Sequence, residues 1–166
     1  MEKFEIYSSG KDKFYSNKKA AIDLHSQTFF GELKEGKVVY SLYEVLFLLK
    51  TGKVVIEDKK IDSKALIKRA DHNIWLAFED LRKKGYIVKE GLKFGTDFRV
   101  YKPGTKPGKH HSEYLLFVAS VGDKLNLKDF AAKARIANTT HKKLLLALID
   151  SEEDVNYYEA NWKSIL

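Results

Sequence analysis

Residues 144–149 read LLLALI, six consecutive apolar positions with no polar interruption. A strand with one wet face alternates apolar with polar residues, whereas a run that is apolar at every position has to be covered on both faces. Six residues are far too few to cross a membrane as a helix. The run therefore specifies the central strand of a sheet with helices packed against it. Strand and helix patterns mix along the rest of the chain, so the expected class is α/β mixed (α+β), with a small N-terminal domain and a C-terminal domain built on a central mixed sheet flanked by helices.

Local signals place the other elements. Residues 2–7 (EKFEIY) alternate as a short strand, and SSGKD after them is its turn. Residues 18–24 (KKAAIDL) read as a short helix or irregular segment, and residues 38–40 (VVY) follow the Glu35-Gly36 turn as a strand. Ser41 with Glu44 three residues on forms a capping box for a helix over residues 43–50, which Thr51-Gly52 ends. A strand over 54–57 and an Asp-capped helix over 62–70 complete residues 1–70. The break at Asp71-His72-Asn73 opens the second domain, 71–166. There, Ile74, Ala77, Phe78 and Leu81 mark a helix over 74–84 that Gly85 stops, followed by a strand over 86–89 and, after the Glu90-Gly91 turn, an apolar strand that delivers Tyr101. A further strand opens with His111 and Tyr114, Asn126 caps a helix over 127–137, and residues 155–162 (VNYYEANW) form a last, aromatic strand.

The formal net charge is +7 over 166 residues, and a basic excess favours a polyanionic partner because cations that neutralise phosphates release counterions. A basic but merely solvated surface has the same composition. Cysteine is absent, which excludes a disulfide framework, a thiolate metal site and a thiol nucleophile. The early charges of MEKFEIY and the lack of a long apolar run point to a cytoplasmic protein without a signal peptide or membrane span.

The stretch FRVYKPGTKPGKHHSEYLLF delivers Tyr101 on a strand, reverses through a Pro/Gly loop and returns with His111. Lys142, in NTTHKKLLLALID, stands where a helix hands over to the buried strand. One sheet edge thereby gathers a phenol, an imidazole and an ammonium. RNA is cut when its own 2′-hydroxyl attacks the adjacent phosphate in line with the departing 5′-oxygen, which needs a base, an acid and a cation on the phosphoryl oxygens. An imidazole titrates near 6.5 and suits the acid; a phenol near 10 is a harder base, helped by a neighbouring cation; a lysine supplies that field and a phosphate contact. Taken singly, each has a structural reading: Tyr101 a strand aromatic, His111 a polar strand end, Lys142 a surface lysine. Their co-occurrence carries the chemical one. No metal or cofactor is required by the set.

The spacing of these residues resembles the archaeal and eukaryotic tRNA-splicing endonucleases. SLYEVLFLLKTGKV looks like part of that family's N-terminal domain and DLRKKGYIVKEGLKFGTDFRVY like the start of its catalytic domain; H-S-x-Y at 111–114 and T-T-H-K-K-L-L-L-A at 139–147 complete the likeness. The resemblance implies that Tyr101, His111 and Lys142 are catalytic, in preference to neighbouring His110 and Lys143. It also implies that Arg135 and Trp162 sandwich a bulged base across subunits. Without it, Arg135 reads as an exposed helix charge and Trp162 as a sheet aromatic. The implied substrate is precursor tRNA folded as a bulge–helix–bulge, cut at both exon–intron junctions to 2′,3′-cyclic phosphate and 5′-hydroxyl ends. Two cuts need two sites, hence a homodimer, expected through the last strand. Residues 120–126 (SVGDKLN) lack the acidic loop of a self-sufficient tetramer, and His141 stands where arginine is frequent. A heterotetramer with a noncatalytic paralogous subunit is therefore the alternative assembly.

Two rival functions remain at this level. Glu57-x-Lys59 after an apolar strand is a weak signal for a metal-dependent nuclease, which a chelator would inhibit. A noncatalytic RNA-binding or scaffolding subunit is the other, against which the presence of all three candidate catalytic residues argues.

Overall fold

Short strands and tight reversals dominate the first seventy residues of the computed structural model, which describes residues 3–57 and 62–165. The chain divides into two units, Met1–Asp71 and His72–Leu166. In the first, β1 (Phe4–Gly10) turns at Lys11-Asp12 into β2 (Lys13–Ser16), and α1 (Lys19–Thr28) leads to the hairpin β3 (Glu32–Lys34) and β4 (Lys37–Ser41). Then follow α2 (Leu42–Lys50), β5 (Val54–Ile56) and α3 (Ser63–Arg69). The sheet order is β3-β4-β2-β1-β5, antiparallel except for the parallel pair of β1 with β5.

The capping box at α2 is present as the sequence indicates. Glu44 accepts from the Ser41 main-chain N–H at 3.0 Å, and its other oxygen accepts from the Gly31 N–H at 2.8 Å. A carboxylate only 5% exposed is thus hydrogen-bonded on both oxygens, which is how a buried anion is tolerated. Asp62 caps α3 by accepting from the Lys64 N–H at 2.9 Å. Glu2, at the start of the first expected strand, and Lys59 lie outside the described residues.

The second unit contains α4 (His72–Lys83), β6 (Ile87–Glu90), a 3-10 turn (Leu92–Phe94), β7 (Phe98–Tyr101), β8 (Tyr114–Ser120), α5 (Leu127–Thr139), β9 (Lys143–Ile149) and β10 (Val155–Ala160). Its sheet runs β10-β9-β8-β7-β6, with β8 and β9 parallel and every other pair antiparallel. The all-apolar run is an interior strand, as expected. Parallel neighbours need a crossover, and α5 supplies it. Residues alternate between faces: Phe98 meets Phe78 of α4 with ring centroids 5.5 Å apart, while Leu115 and Leu144 pack with Ala134 and Ala137 of α5. Gly85 ends α4 at φ 85°, the left-handed position glycine adopts without a Cβ penalty. This mixed α+β architecture is the expected fold class.

Two expected strand positions are corrected. His111 precedes β8, which starts at Tyr114, because the chain before it is bonded within its own loop: the Lys109 and His110 N–H groups both donate to the Lys106 carbonyl. Trp162 lies beyond β10, because the ladder ends at Ala160 opposite Leu144 and β9 offers only Lys143 before it begins. Strands β2 and β3 are additions to the sequence reading, and α4 starts two residues earlier than its apolar spacing indicates.

Candidate active site

Antiparallel pairing of β7 with β8 and parallel pairing of β8 with β9 brings the end of one strand and the starts of two others into a single row. Val100 lies opposite Tyr114 and Tyr114 opposite Lys143. The Glu113 N–H donates to Val100 O and the Lys143 N–H to Glu113 O, so the row is hydrogen-bonded across. Tyr101, the last residue of β7, and Lys142, just before β9, flank it at its two ends. The loop with His111 joins β7 to β8, reversing through Gly104 and Gly108 at φ 82° and 92°.

Lys142 is set by the way α5 ends. The His141 N–H donates to Asn138 O at 3.0 Å and the Lys142 N–H to Ala137 O at 2.8 Å, with His141 at φ 54°. These are the paired bonds of a Schellman terminator, with histidine, one of the residues that tolerate left-handed backbone, in the place glycine usually takes. The departure from arginine at 141 therefore falls on a backbone position. The Lys142 ammonium turns back and donates to Thr140 O at 3.0 Å, at the negative end of the helix. It also lies 5.6 Å from the Phe94 ring centroid, and Lys93 lies 5.1 Å from the same ring. Burial, then the charges of Arg99 and Lys93, hold the Lys142 ammonium below the usual lysine range.

Tyr101 is 6% exposed, as an ordinary strand aromatic would be. Its oxygen sets it apart, since it accepts a hydrogen bond from Arg99 Nη1 at 3.4 Å. The charge of Arg99 also acts on Lys142, so the guanidinium that bonds the phenol bears on the ammonium as well. Sequence reasoning passed over Arg99, although its position two residues before Tyr101 on one strand gave the shared face. His111 is exposed and makes no hydrogen bond or ion pair among the described residues. Its neighbour His110 is engaged through Nδ1 with the Lys106 main chain at 3.1 and 3.3 Å. Lys143 likewise differs from Lys142: it bonds Glu159 at 3.2 Å and lies 4.0 Å from Glu113, which Lys102 contacts at 2.7 Å.

Arg135 is exposed on α5, and Trp162 is 45% exposed past the end of β10. The chain does not bring these two into contact with each other. Of the metal-nuclease pair, Glu57 follows β5 and Lys59 lies outside the described residues. Among the described residues no three His, Cys, Asp or Glu side chains are grouped to hold a metal ion, and no helix is long and apolar enough to cross a membrane.

Comparison with known proteins extends the likeness over both units. Residues 73–157 match the model of the tRNA intron endonuclease catalytic C-terminal domain, and residues 8–67 that of the N-terminal domain. The tRNA-splicing endonuclease of Methanothermobacter thermautotrophicus is 37% identical over 145 residues, 84% of this chain and 85% of that protein. Those of Thermococcus kodakarensis and Pyrococcus furiosus are 35% and 38% identical, each over 95% of this chain and 96% and 95% of their own. The chain belongs to the tRNA intron endonuclease family and is, as a member, an RNA-cleaving enzyme.

Proposed function

We propose that this enzyme cuts precursor tRNA at exon–intron junctions within a bulge–helix–bulge, by attack of the 2′-hydroxyl on the adjacent phosphate. Tyr101 takes the 2′-proton, the new O2′–P bond forms as the P–O5′ bond breaks, and protonated His111 gives its proton to the departing O5′. Lys142 holds the phosphoryl oxygens as charge gathers there. The products are a 2′,3′-cyclic phosphate and a 5′-hydroxyl. These three side chains handle both proton transfers and the developing charge, so the chemistry needs no added metal or cofactor.

The observation that carries this reading is the ammonium of Lys142. It is held at a helix terminator, with the charges of Arg99 and Lys93 acting on it and, among the described residues, no carboxylate bonded to it. A site of that kind is suited to receive an anion. An exposed, unengaged imidazole at His111, in the loop leaving Tyr101, suits a mobile acid.

Residues 1–70 act as the N-terminal domain and 71–166 as the catalytic domain, in the cytoplasm. Two such sites come together in a homodimer through β10, an edge strand on which Tyr158 is exposed. An edge with open hydrogen-bonding groups is ready to pair. Arg135 and Trp162, apart within one chain, then stack on the faces of an extruded base across subunits. Asp123 accepts from the Ser120 N–H at 2.7 Å, so the one acid of its loop is engaged locally. A noncatalytic paralogue carrying an acidic loop is the alternative source of the contact that makes a tetramer.

The test is incubation of purified chain with an intron-containing precursor tRNA in EDTA, with product ends identified. Cyclic-phosphate and 5′-hydroxyl ends at both junctions are expected. Cleavage that requires added divalent metal, or that leaves 3′-hydroxyl and 5′-phosphate ends, would contradict the mechanism.

A further inference from the structure

Arg99 sits inside β7, paired with Lys89 of β6 on one side and Leu115 of β8 on the other. Its Nε donates to the Glu90 main-chain oxygen at 2.9 Å, and its Nη1 donates to the Tyr101 oxygen at 3.4 Å. One corner of a rigid plane is thus tied to the backbone and another is aimed at the phenol. An arginine kept on a strand for stability usually meets a carboxylate or runs its head into water. This one does neither of these in full: it is half-buried, it bonds two uncharged oxygens, and the nearby charges that act with it on the site are Lys142 and Lys93.

The geometry has a direction. Because the phenol oxygen accepts from Arg99, its own hydrogen points away from the guanidinium. A separation of 3.4 Å is long for a bond to a neutral oxygen, whereas N–H groups of a cation on an anionic oxygen close to about 2.7–2.9 Å. The contact therefore strengthens when the phenol oxygen becomes negative. An interaction stronger along the reaction than at rest is the kind that accelerates a step.

We infer that Arg99 is a positioning residue for Tyr101: anchored on the Glu90 carbonyl, its guanidinium fixes the phenol oxygen in one orientation and faces it with a positive charge. This rests on the proposed role of Tyr101 as the base. Arg99 acts through that oxygen and not by holding RNA.

The test is single-turnover cleavage of precursor tRNA by saturating enzyme, with RNA affinity measured separately, for Arg99→Met, Arg99→Lys, Tyr101→Phe and the two double variants. Arg99→Met is expected to slow cleavage by roughly 10–100-fold while affinity changes less than about threefold. Arg99→Lys keeps a charge but lacks the second arm, and is expected to fall within about threefold of Arg99→Met. In the Tyr101→Phe background either change is expected to cost less than about twofold more, because coupled residues are non-additive. Equal losses in both backgrounds, a loss in affinity in place of rate, or full rescue by lysine would each overturn the inference while leaving Tyr101 as the base. An unaltered rate in Tyr101→Phe would instead remove the phenol from the mechanism, and this inference with it. Thermal unfolding of each variant accompanies the rates, and should Arg99→Met fail to fold, Arg99→Lys carries the same comparison.

Discussion

Lys142 and Lys143 are consecutive and chemically identical, yet they belong to different structures. Lys143 is the first residue of β9, and its charge is taken up by a lattice in which Glu113 and Glu159 tie it to Lys102 and to the end of β10. Lys142 belongs to the terminator of α5, and its ammonium meets a carbonyl and an aromatic face under the repelling charges of Arg99 and Lys93. The first arrangement neutralises charge and supports the sheet edge by a modest amount, since exposed ion pairs contribute at most about 1 kcal/mol each. The second leaves charge uncompensated at some cost to the fold, which is the usual mark of a group kept for chemistry. His110 and His111 repeat the contrast, one bonded into its turn and the other unengaged.

The largest effect that sharpens this contrast is expected at the histidines. His111→Ala should lower single-turnover cleavage by roughly 10²–10⁴-fold, the range for a lost general acid, with an unchanged unfolding midpoint. His110→Ala should change cleavage by only a small factor, and a larger loss there than at His111 would reverse the assignment. Next come Arg135→Ala and Trp162→Ala, each expected to weaken binding of bulged RNA by about 1–3 kcal/mol in a titration, with little change for a fully paired duplex. The smallest effect is on the lattice. Asn161, then Lys143, hold the Glu159 carboxyl below its usual range. A carboxyl lowered in the folded state adds stability that is present above its unfolded value of about 4.3 and is lost as pH falls through the lowered folded value. Unfolding midpoints of wild type and Glu159→Gln should therefore differ near neutrality and converge in acid; a gap that widened in acid would break the account of the lattice.

Much of this was legible because single residues carried strong local signals. The Ser41–Glu44 box, the Asp62 and Asn126 caps and the Gly85 stop all act within one turn of chain, and each appears where its side-chain chemistry requires it. The central strand was legible from its unbroken apolar run. By contrast β2 buries only Phe14 and the polar Ser16, and β3 is exposed at all three of its positions, so neither imprints an apolar alternation on the sequence. The end of β10 was hidden for a different reason: it is set by where its neighbour β9 begins, a property of pairing and not of the sequence around Trp162. Within the site, residue types and spacing pointed to Tyr101, His111 and Lys142. Spacing put Arg99 on the Tyr101 face, but its meaning lies in a bond across strands to Glu90 and one along that face to Tyr101, which pairing alone reveals.

The measurement that bears most directly on the claim that consecutive lysines are divided between fold and chemistry is a paired one. Single-turnover cleavage of precursor tRNA in EDTA by Lys142→Met and by Lys143→Met, each with its unfolding midpoint, reads both halves at once. The account predicts that Lys142→Met cleaves roughly 10²–10³-fold more slowly, the cost of removing one transition-state donor, while its midpoint holds or rises. It predicts that Lys143→Met cleaves within about threefold of wild type and loses at most about 1 kcal/mol of stability. Equal losses of activity in the two variants, or a Lys142→Met protein that is inactive because it is unfolded, would contradict it.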